Sequence, residues 1–487
     1  MTHTKIAPID VLLTWPADGV RLFESMIPLG LASLAAMLEQ HGYRVQIIDF
    51  NHYRKDFRVH LSELRPKLVG IGGTTTTRQS SFLTARLVKE VFPDLPVVYG
   101  GPHASFAYED TLLNIPQIDF ILRGEAEYSL LALCEILVRN GSQSIAEIPG
   151  IALRKGDQII TRSPERIQNL SGLPVPARQM FGRIYPMTID HTEIPADFLV
   201  TSRGCPVICD FCSASRMFPG GVRLRPMDEV RAEVQTIVHE RPDVRGLKVF
   251  DSTFTANRQH VLEFCALMTE FQLSWECEVR ADTVDFEMLS TMRKAGCVFV
   301  SIGFETTDEE LLRRMGKRIT KEQVDQVLSW CKQLGIICKV FFTFGHLGET
   351  MQTCLTDLKY LRANRERIQF YGTTIGIRIY PGTVLEYKAR KAGLLPSNFS
   401  WAKFKAPLRN WWVLEPSDVL ILEQPGLRLP QLGRLIVRLL WQGTALSPSY
   451  ILKMIPLNLY LLCTRIAIQL RYTQHRWLRF WTWGKLA

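Results

Sequence analysis

The chain is 487 residues long, which exceeds one ordinary hydrophobic core and predicts two or three domains. Its apolar share of 46% and charged share of 22% are typical of a folded protein and exclude an intrinsically disordered one. The net charge of +10 belongs to the C-terminal end, because no Asp or Glu follows Glu423 whereas eight Lys and Arg residues lie between Gln431 and Ala487.

The first block of the sequence, residues 1–145, alternates apolar strand-like runs with amphipathic helix-like runs. The strand-like runs lie at 9–15, 43–50, 67–73, 96–102 and 119–125, and the helix-like runs lie at 27–42, 79–91 and 126–140. Strands that are apolar throughout and separated by amphipathic helices predict a parallel sheet covered on both faces. We therefore predict a Rossmann-like α/β domain over residues 1–145.

The same alternation returns after a break. Residues 146–195 contain Pro and Gly without a sustained hydrophobic period, which predicts a linker with one hairpin. Over residues 196–390, six strand-like runs alternate with helix-like runs, and the strands lie at 197–204, 246–252, 275–281, 297–305, 337–345 and 370–380. This repeat predicts a partial (β/α)6 barrel with its reactive face at the C-terminal ends of the strands, followed by a helical basic C-terminal region over residues 391–487.

Three cysteines are gathered in the stretch "RGCPVICDFCSAS", directly after the first predicted barrel strand. Cys205, Cys209 and Cys212 have the spacing C-x3-C-x2-C. The chain has eleven cysteines and its N-terminus lacks the features of a signal peptide, so we expect a reducing, cytoplasmic setting in which clustered thiols bind metal. Three thiolates leave a zinc site one ligand short unless a distant side chain completes it, whereas they suffice for three irons of a [4Fe–4S] cluster.

The cysteine spacing, with the aromatic Phe211 just before the last cysteine, resembles the signature of the radical S-adenosylmethionine (SAM) superfamily. The resemblance implies that Cys205, Cys209 and Cys212 hold a [4Fe–4S] cluster whose fourth iron chelates the amino and carboxylate groups of SAM. It also implies that an electron, supplied by a donor such as flavodoxin or ferredoxin, cleaves SAM to a 5'-deoxyadenosyl radical that abstracts hydrogen from an unactivated C–H bond.

Four polar side chains near the ends of later barrel strands complete the predicted SAM site. Asp251 and Ser252 follow the second strand, Arg280 lies on the third, and Glu305 follows the fourth. The resemblance implies that these residues surround SAM together with Phe211. Because a charged side chain is costly inside a barrel without a partner, Arg280 is expected to pair with the SAM carboxylate or with an acidic neighbour.

The stretch "GHLGET" after the fifth strand resembles the family turn G-x-P-G-E-T, with Leu347 in place of the usual proline. Two interpretations of Glu349 and Thr350 stay open, a part in the SAM site or the capping of the following helix. The sequence identifies no catalytic acid or base.

The first block offers two loops of small residues at the C-terminal ends of its strands, "GIGGTTTT" (Gly70 to Thr77) and "GGPHAS" (Gly100 to Ser105). Such loops let a ligand approach the backbone closely. The whole block resembles the cobalamin-binding domain that precedes the barrel in one large radical SAM class. The resemblance implies a cobalamin site at Gly72, Gly73, Thr74, Thr75, Gly100 and Gly101.

The classical cobalamin pattern D-x-H-x-x-G, which carries a histidine ligand below the cobalt, does not occur in this sequence. His103 is the one histidine on a candidate loop, and we expect it to be a loop hydrogen-bonding residue rather than a cobalt ligand. The alternative for the whole block is a scaffold that no longer binds cobalamin.

The basic C-terminal region is rich in aromatic residues, including Trp477, Trp481 and Trp483. Only eleven uncharged residues, interrupted by a proline, separate Lys453 from Arg465, which is too short for a spanning helix. Two interpretations stay open, a segment lying on an anionic membrane and a helical cap packed over the barrel. We recognise no nucleic-acid-binding module and expect no nucleic acid partner.

The class that this sequence resembles contains enzymes that transfer a methyl group and an anaerobic oxidative cyclase that acts on a porphyrin ester. Both outcomes need the same cofactors, so the sequence does not separate them. We predict C-methylation of an unactivated carbon in a large apolar small-molecule or lipid substrate. The alternatives are oxidative cyclisation of a tetrapyrrole or lipid, a radical enzyme without cobalamin, and a non-catalytic cobalamin binder.

Overall fold

The computed structural model describes residues 8–17, 27–53, 55–181, 185–189, 192–406 and 418–441. Two seven-stranded sheets form its framework. The first sheet consists of β1 (Val11–Trp15), β2 (Val45–Asp49), β3 (Leu68–Ile71), β4 (Val97–Gly100), β5 (Phe120–Leu122), β6 (Ile151–Lys155) and β7 (Gln158–Thr161). Its helices are α1 (Leu29–Gln40), α2 (Phe57–Leu64), α3 (Arg78–Val91), α4 (Pro102–Phe106), α5 (Tyr108–Asn114) and α6 (Glu127–Arg139).

The strand order of the first sheet is β2-β1-β3-β4-β5-β6-β7. The first five strands are parallel, and the hairpin β6–β7 adds two antiparallel strands at one edge. The order in which strands are added to the sheet reverses between β1 and β3, which is the point where an open α/β sheet forms a ligand crevice at its strand ends. The predicted parallel sheet is confirmed.

Helices cover both faces of the first sheet because alternate strand residues point to opposite sides. Leu12 of β1 packs with Phe82 of α3 on one face. Leu13, its neighbour in the chain, packs on the other face with Leu31 of α1 and Leu133 of α6. All five residues are buried.

The second sheet is a half-barrel of six parallel strands with one antiparallel strand at its edge, in the order β16-β15-β14-β13-β12-β9-β8. This confirms the predicted partial (β/α)6 barrel. Its strands are β8 (Tyr185–Ile189), β9 (Thr192–Leu199), β12 (Gly246–Val249), β13 (Ser274–Val279), β14 (Cys297–Glu305), β15 (Ile337–Phe344) and β16 (Phe370–Ile375). Its helices are α8 (Met227–Glu240), α9 (Arg258–Phe271), α10 (Phe286–Lys294), α11 (Glu309–Arg314), α12 (Lys321–Leu334) and α13 (Met351–Ala363).

A short antiparallel ribbon, β10 (Ser202–Arg203) and β11 (Arg223–Leu224), brackets the cysteine motif and the small helix α7 (Ala214–Met217). The domain limits at residues 145, 195 and 390 stay predictions.

The C-terminal region begins with β17 (Arg378–Ile379), α14 (Val384–Lys391), β18 (Leu420–Ile421) and α15 (Leu429–Trp441). Leu432 and Leu435 of α15 are fully buried in the same core as the half-barrel strands. The buried guanidinium of Arg78 donates hydrogen bonds to the carbonyls of Trp401 and Phe404 at 3.1 and 2.9 Å, which ties this region to the first sheet. Residues 429–435 therefore pack as a cap.

The tryptophans on which the membrane-surface prediction depends lie outside the described residues. Within the described part of the chain, no helix combines the length and the apolar character that a membrane span requires.

Candidate active site

The cysteine loop, residues 204–213, starts at a position that only glycine can occupy. Gly204 has a φ of +105°, and a Cβ placed there would lie 2.3 Å from the carbonyl oxygen of Gly221. The tight turn directs Cys205, Cys209 and Cys212 onto one loop beyond the end of β9, and all three thiols are free. Cys209 is buried, and the other two are half-buried.

The surroundings of the three thiols suit ligands of a cluster. Burial raises the pKa of Cys209 to about 11 and also raises the pKa of Cys212, whereas the positive charges of Lys317 and Arg280 oppose the shift at Cys209. The amide of Ala214 donates to the sulfur of Cys212 at 3.5 Å. Donors to sulfur and nearby positive charges stabilise thiolates and tune an iron–sulfur cluster.

Among the described residues, no three His, Cys, Asp or Glu side chains converge as the ligands of a single metal ion would. A [4Fe–4S] cluster takes each thiolate at a different iron. Three free thiols on one loop provide donors of this kind, one for each of three irons.

Glu305 lies in a buried polar group at the end of β14. Lys317 Nζ is 3.0 Å from Glu305 Oε1, and the hydroxyl of Thr343 donates to Oε2 at 2.6 Å. A Cβ at Gly303 would lie 2.6 Å from Lys317 Nζ, so the glycine leaves room for the pair. Glu305 has a φ of +75° at an irregularity in the β14–β15 register, a strained backbone that the surrounding contacts must maintain.

Arg280 pairs with an acidic neighbour, one of its two expected partners. Its guanidinium makes two hydrogen bonds to the carboxylate of Asp282, at 2.9 and 2.8 Å, and a third to the carbonyl of Lys317 at 3.0 Å. Phe211 lies close by, with its ring centroid 5.8 Å from Lys317 Nζ and 5.7 Å from the ring of His346. Phe211, Arg280 and Glu305 are thus brought together around Lys317.

Asp251 and Ser252 follow β12, and Asp251 contacts the residues that precede the cysteine loop. The buried carboxylate of Asp251 accepts hydrogen bonds from the amide and hydroxyl of Thr201, at 2.7 and 2.6 Å, and from the hydroxyl of Ser202 at 2.7 Å. It therefore anchors the chain just before the cysteines. The next residue along, Thr253, places its hydroxyl 3.3 Å from the sulfur of Cys205.

In the "GHLGET" turn, Thr350 has the helix-capping role, which is one of its two open interpretations. The side chain of Thr350 accepts from the amide of Thr353 at 3.2 Å, which caps α13. Glu349 is buried and accepts from the amides of Gly345 and His346 at 2.5 and 2.9 Å, and burial raises its pKa to about 7. Both residues thus stabilise the turn.

A cavity of about 440 Å³ separates the C-terminal end of the first sheet from the half-barrel. Five of the six residues predicted to bind cobalamin line it, namely Gly72, Gly73, Thr74, Gly100 and Gly101. From the half-barrel side, Ser252 lines the same cavity. We call it the interdomain cavity.

Thr75, the sixth residue predicted to bind cobalamin, is buried beside His103. The Nδ1 atom of His103 lies 3.2 Å from the hydroxyl of Thr75, and the imidazole is fully buried with its ring near Trp401. Burial lowers the pKa of His103 well below its usual value. Neither residue lines the interdomain cavity, so the structure supports the hydrogen-bonding role expected for His103.

The glycines of the cavity wall do two different things. A Cβ at Gly101 would lie 2.5 Å from the carbonyl oxygen of Gly73, and one at Gly73 would lie 2.6 Å from the hydroxyl of Ser81. These two glycines let the loops pack against each other. A Cβ at Gly30 or Gly100 would meet no atom closer than 3.6 Å, so here the backbone stays open to the cavity, as a site for a large ligand such as cobalamin requires.

An interdomain ion cluster joins the first sheet to the cysteine loop. Arg203, two residues before Cys205, donates to Glu125 at 2.8 Å and to Glu127 at 2.6 Å, and Arg223 donates to Glu125 at 2.7 Å. The two glutamates follow β5, whereas the two arginines belong to the ribbon that brackets the cysteines. Side-chain exposure is 17% for Arg203 and lower for the other three.

Sequence reasoning missed both arginines, both glutamates and Lys317. Charged residues are usually solvated, and the sequence gives no sign of which ones find buried partners. The one sequence feature that could have drawn attention to Lys317 is the preceding Gly316. A Cβ at Gly316 would lie 2.6 Å from the carbonyl oxygen of Ile208, so the glycine lets this segment approach the cysteine loop.

A Rossmann-like sheet, a half-barrel and a three-cysteine loop at the barrel's C-terminal face together define a radical SAM protein with an added nucleotide- or corrin-binding layer. Family models agree with this assignment. The model of the radical SAM superfamily matches residues 199–361, and the model of the B12-binding domain matches residues 19–134. The first match contains the cysteine loop, and the second contains both glycine-rich loops.

Known proteins share this organisation. The chain is similar to an uncharacterised methyltransferase of Pyrococcus horikoshii, with 29% identity over 77% of this chain and 81% of the relative. It is also similar to the anaerobic magnesium-protoporphyrin IX monomethyl ester cyclase of Rubrivivax gelatinosus, with 28% identity over 71% of this chain and 64% of the relative. Among solved structures, the radical S-adenosylmethionine methyltransferase TsrM of Kitasatospora setae matches with a TM-score of 0.70 and 19% identity, over 90% of this chain and 89% of TsrM.

The chain thus combines a radical SAM domain with a B12-binding domain. It is an enzyme, and its cofactors are a [4Fe–4S] cluster, SAM and cobalamin. Radical SAM enzymes draw their electron from a reductant such as flavodoxin or ferredoxin.

Proposed function

We propose that this enzyme transfers a methyl group to an unactivated carbon of a large substrate with an apolar body. Cys205, Cys209 and Cys212 hold the cluster, and the wall residues of the interdomain cavity hold cobalamin. When bound, the cluster and SAM supply the radical chemistry, and cobalamin supplies a methyl carrier. The protein itself provides position, exclusion of water and charge.

One observation supports the proposal: Ser202 and Arg203, which directly precede the cysteine loop, line the interdomain cavity. Ser252 stands in the cavity wall, and the neighbouring Thr253 lies 3.3 Å from the sulfur of Cys205. These contacts support a ligand position in the cavity close to the start of the cysteine loop. Aliphatic and aromatic side chains such as Leu13, Leu31 and Phe250 dominate the wall, which suits an apolar substrate body.

The residues around Lys317 serve SAM in this proposal. Glu305 and Arg280 offer charge at the strand ends, and Phe211 offers an aromatic surface next to the third cysteine. Lys317 and Arg280 hold positive charge near Cys209, where it favours the thiolate that a cluster requires. Asp251 acts as a positioning residue, because its carboxylate holds Thr201 and Ser202 rather than facing the cavity.

Oxidative cyclisation is the second candidate, since the Rubrivivax gelatinosus relative is named as a cyclase. The two functions differ in one product. Methyl transfer from SAM leaves S-adenosylhomocysteine, whereas cyclisation does not need to form it.

The test is anaerobic purification with cobalamin supplied, followed by iron and cobalt analysis and mass spectrometry after SAM and a strong reductant are added. We expect about four irons and about one cobalt per chain, with 5'-deoxyadenosine and S-adenosylhomocysteine as products. 5'-Deoxyadenosine without S-adenosylhomocysteine would favour the cyclase. Iron without cobalt would refute the role given to the interdomain cavity.

We further propose that residues 442–487, which the structure does not describe, bring the enzyme to an anionic membrane surface within the cytoplasm. A chain that ends at Trp441 keeps the buried Leu432 and Leu435 of α15, so it should fold. It should lose sedimentation with vesicles of anionic lipid while keeping its iron content. Equal sedimentation of the full and shortened chains would contradict this contact.

A further inference from the structure

The inner face of the half-barrel carries charge where the outer face is apolar. On β13, Trp275, Cys277 and Val279 are buried in the core beneath the helices. Because strand residues alternate between faces, Glu276 and Glu278 point into the lumen. On β15 the same alternation buries Cys338 and Val340 under the helices and directs Lys339 into the lumen. The lumen therefore contains ionic groups below the strand ends.

The strand register aligns three of these lumen residues. Glu278 of β13 lies opposite Ser301 of β14, and Ser301 lies opposite Lys339 of β15. A carboxylate, a hydroxyl and an ammonium group thus lie side by side on three neighbouring strands. We call Glu278, Ser301 and Lys339 the lumen rung.

The charged residues one step below the lumen rung form an ion pair, whereas those of the rung do not. Lys248 and Glu276 face each other in the register, and Lys248 Nζ lies 3.7 Å from Glu276 Oε1. Among the described residues, by contrast, neither Glu278 nor Lys339 makes an ion pair or a side-chain hydrogen bond; Lys339 Nζ rests 4.6 Å from the centre of the Phe341 ring. Glu278 is exposed to the open lumen and Lys339 is half-buried. Desolvation raises the pKa of Glu278 and lowers that of Lys339, whereas the charge of each residue opposes the shift of the other.

The position of the rung relates it to the reaction site. Glu278 precedes Arg280 by two residues, about 7 Å along the strand, and Arg280 contacts the loop of Lys317 that borders the cysteines. Neighbouring strands are about 5 Å apart, so the backbones of Glu278 and Lys339 lie about 10 Å apart. The gap between these two backbones has room for a small ionic group above Ser301. The side chains of Glu278 and Lys339 are long enough to reach such a group from either side.

We propose that the lumen rung binds the head of the substrate and that this head is an amino-acid group, with its ammonium at Glu278 and its carboxylate at Lys339. This rests on the proposed function, and it adds an ionic head in the lumen to the apolar body in the interdomain cavity. Charge-assisted hydrogen bonds to both ends of the rung select such a head over an uncharged one.

The experiment measures equilibrium binding to the anaerobic holoenzyme with SAM present. The probes are L-phenylalanine, 3-phenylpropionate, which lacks the ammonium, and phenethylamine, which lacks the carboxylate. We expect phenylalanine to bind at least tenfold more tightly than either analogue. Glu278→Gln should weaken phenylalanine about tenfold and leave phenylpropionate unchanged, whereas Lys339→Met should weaken phenylalanine and leave phenethylamine unchanged.

The matched control is Glu276→Gln, which breaks the Lys248 pair one step below and should leave phenylalanine affinity within about threefold. Absence of phenylalanine binding, or equal losses for all three probes in Glu278→Gln, would overturn the proposal. So would a loss of SAM affinity in Glu278→Gln with phenylalanine binding intact. Iron content, cobalt content and S-adenosylhomocysteine formation are measured on the same samples, so failure of methyl transfer is seen separately from failure of the rung.

Discussion

The two chambers of this enzyme hold ligands by different means. The interdomain cavity is walled by glycines and apolar side chains, and its open positions expose backbone rather than charge. The half-barrel lumen carries alternating carboxylates and ammonium groups on its inner face. A chamber of the first kind selects by shape and suits a bulky ligand, whereas a chamber of the second kind selects by charge. The cysteine loop lies where the two chambers meet.

The largest effect is expected from Cys209→Ala, which removes a ligand at the junction of the chambers. Iron should fall from about four per chain to nearly none, and cleavage of SAM should stop. The measurement is iron analysis with detection of 5'-deoxyadenosine. Cys265→Ala changes a buried thiol of α9 that has no part in the loop and should keep its iron. Cleavage of SAM by Cys209→Ala would refute the cluster assignment.

Filling the interdomain cavity should separate its function from that of the lumen. Gly30 lines the cavity, and a Cβ there meets nothing within 4 Å, so Gly30→Phe should fold and occupy the space. Cobalt content should fall at least fivefold while iron and SAM cleavage persist. Glu39→Phe places the same side chain at an exposed position of the same helix and should retain cobalt. Full cobalt content in Gly30→Phe would show that cobalamin does not use this cavity.

Loosening the junction should uncouple the two chambers. Arg203→Gln removes both contacts of the interdomain ion cluster with Glu125 and Glu127 and leaves two buried carboxylates with less compensation. We expect a loss of about 1–3 kcal/mol in stability, and a several-fold fall in S-adenosylhomocysteine formed per 5'-deoxyadenosine. Arg203→Lys keeps the charge but cannot contact both carboxylates in the same geometry. It should therefore restore stability more fully than it restores the ratio of S-adenosylhomocysteine to 5'-deoxyadenosine.

The control for Arg203→Gln is Arg231→Gln, which breaks an exposed pair with Glu270 and should change stability by less than about 1 kcal/mol. Unchanged coupling in Arg203→Gln would mean that the ion cluster only stabilises the fold.

The last prediction concerns the turn at the end of β15, where stability rather than chemistry should change. Because the pKa of Glu349 is raised to about 7 from an ordinary 4.5, the folded protein holds this proton more tightly than the unfolded chain. Stability from this group is thus greatest below pH 4.5 and is lost as pH rises through 7, by up to about 3 kcal/mol. Glu349→Gln stays neutral, so its unfolding midpoint should exceed that of the wild type increasingly between pH 5 and 8. Parallel midpoints across this range would contradict the shifted pKa.

The apolar periodicity of the sequence was sufficient to predict the parallel strands of both sheets, whereas the antiparallel edge strands β6, β7 and β8 lie in the predicted linker. The run 67–73 became β3 with small changes at its ends, because a strand buried on both sides must be apolar almost throughout. The run 297–305 became β14 with the predicted bounds. The spacing of Cys205, Cys209 and Cys212 likewise places them on one loop without reference to distant residues.

The candidate site was predicted less completely. Thr75 belongs to a run of four threonines that look alike in the sequence, yet its neighbour Thr74 lines the cavity while Thr75 is buried beside His103. Arg280 was placed correctly on its strand, but its partner Asp282 could be chosen from the possible acidic groups only in three dimensions.

The sequence by itself determined the class of this protein, because periodicity and the cysteine spacing are local properties that survive without knowledge of contacts. Only the tertiary structure decided which charged residues meet. Glu125 and Arg203 are 78 residues apart in the chain, and Glu305 and Lys317 belong to different elements, yet both pairs are buried around the junction. A buried charge requires a partner, and the partner is chosen by the packing of whole domains rather than by any local pattern.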